Sequence, residues 1–230
     1  MGRTTCLLLG ALALATAVAR GQDPIQVDAK HYKLEYQNDQ VRVLRINYGP
    51  NEKSVMHEHP AGVAIFLTDQ QGKFTFPDGK TEQQNMKAGQ VQWTPQGKHL
   101  PESSSDKPFE LILVEMKAKP GTVSATVAQD PVKLDPKHYK VEMENDQVRV
   151  LRINYGPHEK SVMHDHPAGV MVFLGDARAK FTLADGKAEE RSFKAGEARW
   201  LPAEKHLPES LVDKPFELIL IELKKKPATT

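Results

Sequence analysis

The chain is written twice. Shifted against itself by 107 positions, without a gap, residues 31–120 align with 138–227, and 61 of those 90 positions are identical. The likeness starts earlier, with Asp23-Pro24 matching Asp130-Pro131, so the repeat unit is about 98 residues. Whatever fold one copy adopts, the other must adopt too. Units of this size sit near the lower end of independent folding, and packing against each other would help both. We read an N-terminal unit at 22–120, a linker at 121–129 (GTVSATVAQ, small and polar) and a C-terminal unit at 130–227.

Within a unit the punctuation is that of a β protein. Val41-Arg42-Val43-Leu44-Arg45-Ile46-Asn47-Tyr48 is rich in β-branched residues and stops at Gly49-Pro50, a turn. Phe74-Thr75-Phe76 runs into Pro77-Asp78-Gly79-Lys80, a hairpin signal. Residues 109–116 (FELILVEM) form an apolar run, which predicts a strand covered on both faces. Turn signals recur every 8 to 12 residues and no stretch shows helical period. Short strands at that spacing predict an all-β sandwich or barrel.

The N-terminus is of a different kind. Arg3 precedes an apolar stretch at 6–18, which ends in the small residues Ala17-Val18-Ala19. Positive end, short apolar core and small-residue cleavage site make a secretory signal, expected to be removed near residue 21. The core is shorter than the ~20 residues a membrane span takes. The mature chain is therefore expected to be exported, to a periplasmic or extracellular space, with no membrane association of its own. Cys6 is the only cysteine, so removal of the signal leaves no disulfide and no thiol nucleophile or ligand. A formal net charge of +1 and an isoelectric point near 7.8 give no overall field for nucleic acid or anionic lipid. The partner is expected to be a small molecule.

Histidine carries the chemistry. In Met56-His57-Glu58-His59-Pro60, alternate residues share one face of a strand, so His57 and His59 project together while Glu58 points away. His99 follows in a later motif, and the second copy repeats the set as His164, His166 and His206. A pair of imidazoles on one face plus a third in a matching motif is far more specific for metal than a lone histidine.

The spacing Gly-x7-His-x-His, followed by Gly-x5-Pro-x-Gly-x-His, resembles the two signature motifs of the cupin superfamily, and the duplicated chain resembles a bicupin. The resemblance implies two tandem double-stranded β-helix (jelly-roll) barrels packed as an intramolecular pseudo-dimer, with further oligomerisation open. It implies one divalent metal per barrel, held by His57, His59 and His99 and by His164, His166 and His206. The chain departs from the family pattern where a glutamate usually follows the second histidine: Val63 and Ala64 stand there, and Val170 and Met171 in the second copy. Three neutral imidazoles are thus expected at each site. The later motif differs too, since Gly97 of the first copy becomes Glu204 in the second.

Glu102 and Glu209, in His-Leu-Pro-Glu, are the nearby acids to test as catalytic groups or extra ligands, although an offset of three along a strand aims them at the opposite face. His31 and His138 are expected at the surface or as caps, and His158 has no counterpart in the first copy. Trp93 and Trp200 are expected in the core or a pocket wall, Arg45 and Arg152 in salt bridges or snorkelling. Imidazole suits Zn, Cu, Fe and Ni, so ligand type alone does not select the metal; the resemblance to three-histidine cupins favours Fe(II), with Zn, Mn and Ni also compatible. Fe(II) implies a three-histidine dioxygenase-like reaction on a small chelating organic substrate; Zn implies a hydrolase or isomerase. A non-enzymatic ligand- or metal-binding barrel is the reading from a different class, because the fold hosts many functions.

Overall fold

The computed structural model describes residues 22–117 and 127–224. The expected leader, most of the linker and the C-terminal tail lie outside the described residues. The N-terminal unit opens with a one-turn helix α1 (Pro24–Val27) and continues as β1 (Tyr32–Gln37), β2 (Val41–Tyr48), β3 (His57–His59), β4 (Gly62–Phe66), β5 (Gln70–Thr75), β6 (Thr81–Met86), β7 (Val91–Thr94), β8 (Gly97–Ser103) and β9 (Phe109–Met116). The C-terminal unit repeats it: α2 (Pro131–Leu134), β10 (Tyr139–Glu144), β11 (Val148–Tyr155), β12 (His164–His166), β13 (Gly169–Phe173), β14 (Ala177–Leu183), β15 (Ala188–Phe193), β16 (Ala198–Leu201), β17 (Glu204–Ser210) and β18 (Phe216–Leu223).

Each unit folds into a five-stranded sheet (order β1-β2-β9-β4-β7, or β10-β11-β18-β13-β16) facing a four-stranded one (β3-β8-β5-β6, or β12-β17-β14-β15). All pairs are antiparallel. This is the expected all-β pair of jelly rolls. The helices α1 and α2 are an addition to the sequence reading. A single turn is too short to show a period; its signal is local, Asp23 accepting a hydrogen bond from the Ile25 amide just ahead of Pro24.

The five-stranded sheets are apolar on both faces for two separate reasons. Leu44, Ile46, Ala64, Phe66, Leu111 and Leu113 turn inward and fill the N-terminal barrel. Their neighbours in the alternation, Val41, Val43, Val63, Ile65, Ile112 and Val114, turn outward and join Val148, Val150, Val170, Val172, Ile219 and Ile221 in one core between the barrels. Burying each such side chain contributes about 1.5–3 kcal/mol, so the seam between barrels is as strongly apolar as the barrel interiors. Trp93 and Trp200 pack on this seam, away from the barrel interiors, and Trp200 stacks on Tyr36 of the other barrel at 6.1 Å. Arg45 pairs with Glu35 and Glu110 and donates to the Gly196 carbonyl across the seam at 2.6 Å; Arg152 pairs with Glu142 and Glu217 and reaches the Gly89 carbonyl at 2.6 Å. The arginines are thus salt-bridged, as the safer sequence reading had it.

One glycine in each barrel is required by close approach. A Cβ on Gly62 would meet the Val114 carbonyl oxygen at 2.6 Å, and one on Gly169 the Ile221 carbonyl oxygen at 2.3 Å. Each follows the His-x-His segment by three residues and lets β4 or β13 press against β9 or β18.

Candidate metal centre

Register brings the histidines together. β3 pairs with β8 so that His57 stands opposite His99, Glu58 opposite Lys98 and His59 opposite Gly97. Directly opposed residues share a face, so all three rings enter the barrel. In the C-terminal barrel His164 opposes His206, and His166 opposes Glu204. The potential ligand atoms of His57, His59 and His99 lie within 4.8 Å of one another, as do those of His164, His166 and His206. Five of the six rings are buried, His57 and His164 completely; His99 is partly exposed.

Hydrogen bonds on the far side of the rings fix which nitrogen faces inward. His57 Nδ1 lies 2.8 Å from the Val55 carbonyl, which can only accept, so Nδ1 carries the proton and Nε2 a lone pair. His59 Nδ1 donates to the Glu115 carboxylate at 2.6 Å, which turns its Nε2 towards His57. These two Nε2 atoms stand 3.0 Å apart. Nitrogens facing each other at this distance are bridged by a proton or by a metal ion. His164 and His166 repeat the arrangement, with the Val162 carbonyl at 2.7 Å, Glu222 at 2.7 Å and facing nitrogens 3.0 Å apart. Burial sets four of the six rings against a proton. Burial, reinforced by the neighbouring His59, pushes His57 down to about 4. Burial and both neighbouring rings push His99 down to about 3. His164 falls to about 3 for the same reasons, and burial lowers His166 despite Glu222. Nitrogens about 2.1 Å from one ion lie about 3.0 Å apart at a right angle and about 3.4 Å apart at the tetrahedral angle. The 3.0 Å pair in each barrel is thus close enough to share one ion, and three imidazoles are a donor set that fits a divalent metal.

Sequence reasoning missed the carboxylates behind the rings. Glu115 is fully buried and Glu222 nearly so. Glu115 bridges His59 to Arg42, which also binds Asp23; Glu222 bridges His166 to Arg149 (2.6 Å), which binds Asp130 at 2.9 Å. A buried carboxylate without partners would be costly, and here each has a cation and an imidazole. The signal was present: of the two charges in the apolar strand, Glu110 and Glu115, Glu115 is the one in phase with the inward Leu111 and Leu113. No carboxylate follows the second histidine, as read from Val63 and Ala64, but β9 supplies one from behind the ring.

Glu102 and Glu209 are not brought to the rings. On β8 the inward phase is His99, Pro101 and Ser103, so the proline does not shift it; Glu102 faces Lys73 and Lys53 (3.2 and 3.7 Å). Glu209 likewise meets Lys180 and Lys160. His31 and His138 depart from the surface expectation. His31 is buried, stacked on Tyr48 at 4.1 Å, with Nδ1 2.7 Å from Asp28 and Nε2 3.1 Å from Glu52. His138 is held in the same way by Asp135 and Glu159. With a carboxylate on each ring nitrogen, these histidines pin the start of β1 and β10 to the turn after β2 and β11. His158 is exposed, 2.7 Å from Asp213.

The barrel floor beneath the rings is aromatic. Tyr32 meets His57 edge-on at 4.8 Å and shares a hydroxyl hydrogen bond with Tyr48 at 3.0 Å. In the C-terminal barrel a cavity of about 40 Å³ lies between His166, His206, Phe173, Phe181, Phe193 and Leu201.

Two jelly-roll barrels in one chain, each carrying three converging imidazoles on its inner face, make a bicupin fold with two three-histidine clusters, each able to hold a metal ion. The solved structures agree on the fold. The chain is similar to AerE from Microcystis aeruginosa (TM-score 0.63, 14% identity, covering 85% of this chain and 94% of that one). It is also similar to a single-substitution variant of oxalate decarboxylase from Bacillus subtilis (TM-score 0.59, 14% identity, 85% and 75%). A further structure of that decarboxylase, a protein with Mn(II) centres, matches at a TM-score of 0.58 and 14% identity over 82% and 70%. At such identities the likeness concerns the fold. No protein-family model matches the sequence. No curated protein matches it either.

Proposed function

We propose that each barrel holds one divalent first-row transition-metal ion, Fe(II) or Mn(II), and that the loaded sites act on a small chelating organic molecule in a dioxygen-dependent, dioxygenase-like reaction. The observation that carries this reading is the convergence of three imidazoles in each barrel, with two Nε2 atoms facing each other at 3.0 Å. Imidazole ligation suits Fe(II) and Ni(II) as well as zinc, and the resemblance to three-histidine cupins favours Fe(II). Mn(II) joins Fe(II) because the structurally similar oxalate decarboxylase has Mn(II) centres. A metal bound by three imidazoles supplies a Lewis-acidic, redox-capable centre with positions left open for substrate. The chain's own residues orient it: the Val55 carbonyl and Glu115 aim His57 and His59, and the aromatic floor keeps bulk water away.

A non-enzymatic metal- or ligand-binding barrel is the second reading. It is favoured by Glu102 and Glu209 pointing at lysines, so that among the described residues the acids beside the rings, Glu115, Glu204 and Glu222, are each already hydrogen-bonded to an imidazole. The apolar N-terminal stretch supports an exported mature chain in either case. To separate the readings, the protein is purified without added metal, analysed for elements, and tested for oxygen uptake with diketones, flavonols and thiols. Iron or manganese with substrate-dependent uptake is the expected result. Bound metal without turnover would overturn the enzymatic reading in favour of the binding one.

A further inference from the structure

The third imidazole is held differently in the two barrels. His206 Nδ1 lies 2.6 Å from the Glu204 carboxylate, which itself stands opposite His166 on the inner face. At the corresponding place in the N-terminal barrel is Gly97, opposite His59, and no hydrogen bond to the His99 ring is found among the described residues. His99 is positioned by stacking alone, flat on Phe74 at 4.4 Å and 2°. Phe181, the counterpart of Phe74, is tilted by 55° from His206 and lies under the Arg191 guanidinium. Arg191, in turn, comes within 3.9 Å of Glu204, and its counterpart in the first copy is Gln84.

We propose that Glu204 makes the C-terminal cluster the tighter of the two metal sites, so that the barrels load in sequence and not together; this rests on the metal-binding reading above. A carboxylate accepting from Nδ1–H holds the ring in one rotamer and one tautomer, with the Nε2 lone pair kept in the cluster. It also adds a second negative charge behind the ligands, beyond the one Glu222 supplies. The Arg191 charge does not cancel this, because it is partly exposed and farther from Glu204 than the imidazole is. In the N-terminal barrel, His99 must surrender ring freedom on binding and gains no charge behind it. Outer partners of this kind change metal affinity about 10–100-fold.

The test titrates Mn(II) into the metal-free full-length chain by calorimetry. Two steps about 10–100-fold apart are expected. The tighter one should vanish in His164→Ala with His166→Ala, and the weaker one in His57→Ala with His59→Ala. Glu204→Gly should bring the tight step down to the weak one. The reverse change needs no loss of structure, since a Cβ at Gly97 would approach only the Pro95 carbonyl oxygen, at 4.0 Å. Gly97→Glu should therefore tighten the weak step. Two equal steps in the unaltered chain, or a difference that survives Glu204→Gly and ignores Gly97→Glu, would overturn the inference and leave the metal reading standing. No binding of Mn(II), nor of Fe(II) in the same titration run anaerobically, would overturn both.

Discussion

The two barrels show the same triangle of imidazoles, with ring centroids 4.8, 5.2 and 5.5 Å apart in one and 4.7, 5.0 and 5.3 Å in the other. Behind the first two rings the supports are also the same: a backbone carbonyl, then a buried glutamate tied to an arginine and an aspartate. Behind the third ring they part, with Gly97 and a flat phenylalanine on one side, Glu204 and Arg191 on the other. Duplication has thus kept the parts that position ligands through the core and let the rim of the site diverge. A rim residue such as Glu204 can change without disturbing strand packing; Glu115 and Glu222 cannot.

That contrast can be broken, and the largest effect should come from the ligands themselves. In His57→Ala with His59→Ala, bound metal should fall from two ions per chain to one, read by elemental analysis, with far-UV circular dichroism unchanged. Two ions in that variant would show the ligand assignment to be wrong. Next come the buried glutamates. Glu115→Ala strands Arg42 and His59, and Glu222→Ala strands Arg149 and His166, so each should cost about 3–5 kcal/mol in urea unfolding. The two costs should be alike; a several-fold difference would contradict the equivalence of the inner supports.

Acid should act on both barrels of the metal-free chain. His57, His99 and His164 are neutral when folded and near 6.5 when unfolded, so below that pH the unfolded chain binds the extra protons. Stability is then full above about pH 6.5 and falls as the pH drops towards 4, by on the order of 3 kcal/mol for His57 alone. Thermal melts between pH 7 and pH 4 check this, and a melting temperature that rose on acidification would contradict it. The smallest effect is at the seam. Arg45→Ala and Arg152→Ala each remove a partly exposed ion-pair cluster and one cross-barrel hydrogen bond, and should cost about 1 kcal/mol apiece, equally, in urea unfolding.

How much of this was legible in the sequence depends on how local the signal is. The duplication, the strands and the His-x-His pair are short-range patterns, and His99 stood in a second motif of similar length. The offset of three between His99 and Glu102 was enough to place that acid on the wrong face. The link from His59 through Glu115 to Arg42 was not readable in the same way, because it joins positions 73 residues apart and exists only in the register that sets Arg42 opposite Glu115. His31 was misplaced for a related reason. Its burial comes from Asp28 three residues before it and Glu52 far after it, and only the fold shows that they meet. The one-turn helices escaped notice because four residues carry no period.

The central claim is that the three rings in each barrel share one cation. Crystals of the mature chain, purified without chelator or added metal, would test it by anomalous scattering at the absorption edge of whichever metal elemental analysis finds. The account requires two peaks per chain, one bonded by His57, His59 and His99 and the other by His164, His166 and His206. Rings that stay close with no metal between them, or peaks held by other residues, would contradict it.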